Sequence, residues 1–298
     1  MNYTINQLRV FLKIVETGSV TSASKELYMT QPAVSIQLKN FQDQFDVPLT
    51  EMVGRTIRIT EFGHEIAQIS KRALEELDVL KFKTKEYEGV VTGSLKIASA
   101  STGKYVIPYF LSGFMEQYAG VDLRLDVTNK TRVLESLQNR EIDFAIVSVV
   151  PEGIPVEEEI LIDNKLYLVG TNKHFKDIKT LIYREEGSAT RQAMEHYFED
   201  SVPGGRKRLE LTSNEAVKQA VVAGLGHSIL PIIGIKDEIE SGAIQIIRKK
   251  GLPIKTQWRI IWMKNKKLSP VAAAYLEFIR SHKHEILTKH FQWYQDFK

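Results

Sequence analysis

The chain has 298 residues, 43% of them hydrophobic and 26% charged, with a formal net charge of +3 and no cysteine. That length favours more than one core, the composition excludes a disordered chain, and the missing cysteines remove disulfides, thiolate nucleophiles and thiolate metal sites. A balance this mildly basic neither requires nor excludes a nucleic-acid partner. Residues 1–7 lack the basic and apolar regions of a signal peptide, and no apolar run approaches the roughly 20 residues needed to span a bilayer. The expectation is therefore a cytoplasmic protein with no membrane partner.

The first sixty residues read as three short helices and a hairpin. Thr4 and Gln7 form a capping box, and Leu8, Phe11, Leu12 and Val15 recur at helical spacing. Thr17-Gly18 stops that helix, and Ser19 caps a second one carrying Val20, Ala23 and Leu27. After the turn Tyr28-Met29-Thr30, Thr30 caps a third helix with Pro32 in its first turn, where a missing N–H costs little. Val34, Leu38, Phe41 and Phe45 are expected on its buried face, and Gln31, Ser35 and Lys39 on a polar one. A glutamine near a helix N-terminus makes paired hydrogen bonds to an adenine edge, and serine serves several bases or a phosphate. Any solvated helix face has similar residues, so the order of elements carries more weight than these three side chains. Ile57 and Ile59 alternate with Arg58 as in a strand, and Gly54 permits a tight hairpin. Arg55 and Arg58 on that wing suit phosphates or a minor groove, although two arginines on a hairpin are also an ordinary solvated pair.

Taken together, Gln7-Leu8-Arg9-Val10-Phe11, Gly18-Ser19-Val20-Thr21-Ser22-Ala23-Ser24, Thr30-Gln31-Pro32-Ala33-Val34-Ser35, Val47-Pro48-Leu49, and Gly54-Arg55 through Thr60-Glu61-Phe62-Gly63 resemble the LysR-type transcriptional regulators. The resemblance implies a winged helix-turn-helix in which Gln31, Pro32 and Ser35 meet bases and backbone and Arg55 lies on the wing. Two departures stand out. Ile36 occupies a position where the family usually has arginine, and Thr50-Glu51-Met52 replaces Phe-Glu-Arg. Arg9, Lys13, Lys25, Lys39, Arg55 and Arg58 are nearly balanced by Glu16, Glu26, Asp43, Asp46 and Glu51. A single module should therefore bind double-stranded DNA feebly, with affinity coming from several modules held together.

Residues 65–87 have a helical pattern with Ile66, Ile69, Ala73, Leu77 and Leu80 near 3- and 4-residue spacing. Pattern alone leaves two readings, a helix packed on its own domain or one paired with a second chain. The resemblance implies the second, giving a homodimer or tetramer whose recognition helices sit about one DNA turn apart or multiples of it. Gly89 and Gly93 end the helix around a hinge. Beyond it, strands near 95–98, 121–127, 144–147, 166–169, 244–247 and 258–263 alternate with helices from about 105, at 132–138, 191–198 and 215–223. The pattern restarts near Gly170, which suggests two α/β lobes with a cleft between them. Ser269-Pro270 opens a closing helix over about 271–284, followed by a polar, aromatic tail.

This half continues the resemblance through Asp143-Phe144-Ala145-Ile146-Val147, Glu185-Glu186-Gly187-Ser188-Ala189-Thr190-Arg191, Ser213-Asn214-Glu215 and Ala223-Gly224-Leu225-Gly226. Ser101-Thr102-Gly103-Lys104-Tyr105 with Pro108, and Asp163-Asn164-Lys165-Leu166, look most like the subgroup that controls carbon-fixation operons. The implied organisation is a DNA-binding domain at 1–62, a linker and dimerisation helix at 63–90, and a two-lobed, periplasmic-binding-protein-like effector domain at 91–298, α/β overall. The implied partners are promoter or operator DNA, a small-molecule effector and the transcription machinery.

The chemistry available between the lobes is anion binding. Ser99, Ser101 and Thr102 fall between a strand and the following helix, where hydroxyls and free N–H groups favour negative charge. Lys104, Arg132, Thr190 and Arg191 complete the candidate set, with Ser101, Thr102 and Arg191 foremost. Enzyme signals are thin. A phosphate-binding loop would need glycine at Ala98 and Ser or Thr at Tyr105, and Gly226-His227-Ser228 lacks the glycine that a nucleophile elbow needs. His282 and His284 point to different faces of a helix. No cofactor and no metal are expected, and neither is catalysis. A two-lobed solute-binding protein would lack the N-terminal module; a constitutive regulator with a vestigial cleft stays open.

Overall fold

The computed structural model describes residues 2–54, 56–87, 91–171, 179–199 and 207–297, with backbone alone at 75, 78–87, 199 and 296. The chain forms two compact units, Met1–Gly89 and Val90–Lys298.

In the first unit, α1 (Ile5–Thr17) starts on the expected capping box. The Thr4 hydroxyl accepts from Gln7 N at 3.2 Å, and the Gln7 amide oxygen accepts from Thr4 N at 2.9 Å. Gly18, at φ 63°, ends it in the left-handed conformation that a side chain disfavours. Ser19 caps α2 (Val20–Glu26) and Thr30 caps α3 (Gln31–Gln42). Val10, Phe11, Ile14, Ala23, Val34, Leu38, Phe41, Leu49 and Ala67 form the buried core. Phe45 departs from expectation, because α3 ends at Gln42 and Phe45 packs, half-buried, from the following turn, stacked 5.4 Å from Tyr3. The wing is β1 (Thr50–Val53) antiparallel to β2 (Thr56–Ile59), with Ile57 and Ile59 half-buried and Arg58 exposed. Then α4 (Glu61–Tyr87) begins four residues before the apolar pattern suggests, because the Thr60 hydroxyl caps it by accepting from Gly63 N at 2.9 Å. Ala67 and Ser70 are buried against the module, whereas Ile69 is 51% exposed and Ala73 is also outward. The side chain of Leu80 and residues 88–90, which include the start of the expected hinge at Gly89, lie outside the described residues.

In the second unit the elements run β3 (Gly93–Ala100), a 3-10 turn Ser101–Tyr105, α5 (Ile107–Gln117), β4 (Val121–Thr128), α6 (Lys130–Gln138), β5 (Phe144–Val147), β6 (Val156–Gly170), β7 (Thr180–Arg184), α7 (Ala189–Glu199), β8 (Lys207–Leu211), α8 (Asn214–Val222), β9 (Ser228–Pro231), α9 (Lys236–Glu240), β10 (Gln245–Ile246), β11 (Ile254–Met263) and α10 (Pro270–Asp296). The main sheet has the order β10-β6-β11-β5-β3-β4, with β9 also on β6, while β7 and β8 pair in parallel beside it. The lobes do not divide at Gly170 as the sequence suggests. The long strands β6 and β11 run through both, and their register slips between Trp258 and Arg259, leaving Leu161 as the extra residue. One half of each strand joins β5, β3 and β4 in the first lobe. The other half joins β9 and β10, with β7 and β8 alongside, in the second.

Partners distant in the chain also fix the ends of two elements. At the start of β6, each carboxylate of Glu157-Glu158-Glu159 has a partner. Trp262 Nε1 donates to Glu157 at 3.0 Å, Arg259 pairs with Glu158 at 3.1 Å, and Arg280 with Glu159 at 3.0 Å. The closing helix continues to Asp296 instead of fraying near 284, because Phe291 and Tyr294 are buried. The Tyr294 hydroxyl accepts from Lys165 N at 2.7 Å, and Lys165 Nζ donates to the carbonyls of Tyr294 and Phe297 at 3.1 and 2.8 Å. A lysine from β6 thus satisfies carbonyls that a helix end leaves unpaired.

A DNA-reading helix and a charged lobe boundary

On α3, Gln31, Pro32, Ser35 and Lys39 are all exposed, outside the buried stripe of Val34, Leu38 and Phe41. Arg58 is exposed on the wing, 3.8 Å from Glu51, a separation at which a solvated pair contributes little. Arg55 lies outside the described residues.

The structure gives the seven residues expected at the cleft different surroundings. Ser99 is fully buried inside β3, and its hydroxyl donates to the Ala100 carbonyl at 3.1 Å. Ser101 and Thr102 belong to a 3-10 turn and do not open the α-helix, which starts at Ile107. Ser101 is nevertheless at the lobe boundary. Its hydroxyl accepts from Arg184 Nη2 at 3.2 Å and from Asn214 Nδ2 at 3.1 Å, both from the second lobe. Thr102 is buried beside it, and Lys104 is exposed, 5.0 Å from the centre of the Tyr105 ring. Arg132 is exposed in the first turn of α6, next to Thr131. There the lobes touch again, since a Cβ on Gly187 (φ 81°) would meet the Thr131 hydroxyl at 2.9 Å. Thr190 is buried in the first turn of α7.

Arg191 is placed differently from expectation. Its guanidinium donates to Glu195 and Glu210, each at 2.9 Å, and to the Arg184 carbonyl at 3.2 Å, all within the second lobe. Burial alone would raise the Glu195 pKa, but hydrogen bonds from Arg208 and Arg191 outweigh it and hold the carboxyl below its ordinary value near 4.5. A depressed carboxylate contributes stability above its unfolded pKa and loses that contribution as pH falls through the folded one. Arg191→Met should therefore lower the melting temperature of the second unit most at neutral pH. Melting curves should converge with those of the wild type on acidification through and below the usual carboxylate range.

The arginine at the boundary is Arg184, 3% exposed at the end of β7. It donates to both oxygens of Glu185, at 2.7 and 2.6 Å, and to Ser101. Its Nη1 is buried with no hydrogen-bond partner among the described residues, as is Oδ1 of Asn214, a residue 4% exposed. Buried polar atoms of this kind are rare and call for a partner. Neither residue was among the candidates read from the sequence, although Arg184 ends an apolar strand, where open α/β sheets place their ligands. A separate cavity of about 520 Å³ lies by α9 and the end of α10, lined by Tyr105, Lys218, Lys236, Glu238, His290 and Trp293 among others. Lys218 there is already paired with Glu238 and Glu215, at 2.8 and 3.2 Å. Among the described residues no group of three or more His, Cys, Asp or Glu could hold a metal ion, and no helix is long and apolar enough to cross a membrane.

A winged helix-turn-helix joined to two α/β lobes with a polar boundary defines a class, the DNA-binding regulator with its own ligand-binding domain. Family models agree along the chain. Residues 5–64 match the bacterial regulatory helix-turn-helix of the LysR family, and residues 88–283 match the LysR substrate-binding domain. The RuBisCO operon transcriptional regulator of Allochromatium vinosum is 35% identical over 94% of this chain and 97% of its own length. The transcriptional activator CmpR of Synechocystis is also 35% identical, over 94% and 96%. The solved regulatory domain of Synechocystis PCC6803 CcmR, in complex with 2-PG, is 32% identical with a TM-score of 0.60, covering 64% of this chain and 98% of that one. The chain belongs to the LysR family of transcriptional regulators, similar to the subgroup that governs RuBisCO operons. It is a DNA-binding regulator controlled by a small molecule, of a family that forms oligomers.

Proposed function

We propose that the effector is a small anion held at the lobe boundary by Ser101, Thr102, Arg184, Thr190 and Asn214, with Lys104 and Arg132 adding positive charge at the rim. The observation that carries this reading is a pair of buried atoms with no hydrogen-bond partner among the described residues, Arg184 Nη1 and Asn214 Oδ1, on side chains that share a serine hydroxyl. Arg191 acts through Arg184, by donating to its carbonyl, and Ser99 bonds to the Ala100 carbonyl at the end of β3, just before the turn. Because a 32% identical regulatory domain was solved with 2-PG, a phosphorylated carboxylate such as 2-phosphoglycolate is the first compound to test. A dianion with two ends can engage both lobes and shift their equilibrium by its differential affinity.

In this reading Gln31, Pro32, Ser35 and Lys39 enter the major groove while Arg55 and Arg58 hold phosphates. Residues 1–62 form the reader, 63–90 the pairing helix and 91–298 the effector domain. Exposed Ile69 and Ala73 on α4 support pairing with a second chain. The protein works in the cytoplasm, meets the transcription machinery and catalyses nothing.

Titration calorimetry of the full chain with 2-phosphoglycolate tests the site. Ser101→Val should weaken binding at least tenfold, by removing the acceptor shared by Arg184 and Asn214. One feature favours a second reading, a constitutive regulator: Glu185 already occupies much of Arg184. No heat and no thermal stabilisation across phosphorylated sugars, sulfate and aromatic acids would establish that alternative.

A further inference from the structure

Helical geometry turns successive residues by about 100°, which places Ile36 roughly 170° from the middle of the buried stripe formed by Val34, Leu38 and Phe41. Ser35 and Gln31 sit well to one side of that line, whereas Pro32 and Ile36 share the outermost ridge of α3. Ile36 is 57% exposed, a branched apolar side chain where solvation would favour a polar one. It adds nothing to the core of its own module, and its branching lowers helix propensity. An aliphatic side chain at the deepest point of a groove reader has no hydrogen bond to offer. The apolar group that base edges present in the major groove is the C5-methyl of thymine.

We infer that Ile36 is a specificity-determining residue that packs on a thymine methyl in each half-site. Its contact adds to the hydrogen bonds of Gln31 and Ser35 and selects thymine at one position. This rests on α3 being the DNA-reading helix and refines what it reads. Burying a methyl against an aliphatic side chain changes affinity by roughly three- to tenfold, enough to fix one base.

The test uses the full chain and a duplex selected with it from a random pool. Each thymine of the half-sites is replaced singly by deoxyuridine, which lacks only the methyl. One thymine per half-site should emerge at which the wild type loses roughly three- to tenfold in affinity. Ile36→Ala should bind the original duplex more weakly and be indifferent to that one replacement. Ile36→Val should keep most of the sensitivity. The inference fails if no replacement changes wild-type binding by about twofold, or if the wild type and Ile36→Ala lose equally at every thymine. Selection of a defined duplex with neither effect would overturn this inference alone. Failure to select any sequence would overturn the DNA-reading role of α3 as well.

Discussion

Arg184→Met is expected to weaken 2-phosphoglycolate binding by about a hundredfold, the scale of losing a buried charge-assisted pair. Operator binding in the absence of effector should stay near the wild-type level. The side chain is 3% exposed, bonds to Glu185, and shares the Ser101 hydroxyl with Asn214. Removing it also leaves the Glu185 carboxylate without its guanidinium, so the single variant loses stability as well as affinity. Glu185→Gln separates the two effects. It removes an internal carboxylate that competes with the ligand for Arg184, and it should tighten anion binding. Calorimetry on both variants, with gel-shift measurements on the same preparations, checks the pair. Equal weakening by both substitutions would show that the Arg184–Glu185 pair is structural and that the anion sits elsewhere.

The second large effect is expected in the reader. Phe41 is 1% exposed, 5.3 Å from Phe11 and 5.2 Å from Phe45 by ring centroids, at the centre of a core built from few residues. Phe41→Ala should cost about 3–5 kcal/mol, a large share of the stability of so small a module. DNA binding should be lost at 37 °C while effector binding persists, because the two compact units have separate cores. Calorimetric unfolding should show the module's transition moved far down in temperature and that of the second unit unchanged. A common shift of both transitions would mean that the units unfold as one.

The caps at Thr4, Ser19, Thr30 and Ser269 could be read directly from the sequence, and each lies within three residues of the N–H it satisfies. The outward set on α3 was equally legible, since one helical period sorts buried from exposed side chains. Only part of the proposed effector site was legible. The strand-to-turn pattern points to Ser101 and Thr102, which the proposal keeps, whereas the proposal gives Arg184 the place that the sequence suggested for Arg191. Arg184 ends an apolar strand and Arg191 lies in the helix after it, and periodicity cannot tell which of them faces the other lobe.

Local order in this protein was therefore set by interactions between neighbours in the chain, which the sequence displays. The three helices, the wing, the start of α10 and the absence of any cysteine chemistry are of that kind. Tertiary structure alone decided what depends on distant partners. Ser101 meets Arg184 and Asn214 across 83 and 113 residues, Glu159 meets Arg280 across 121, and Lys165 meets Tyr294 across 129. Those pairings tie the start of β6 to α10, extend α10 to Asp296 and place an arginine at the lobe boundary. No local pattern encodes them, because each requires the sheet to have closed before its two members come within hydrogen-bond reach.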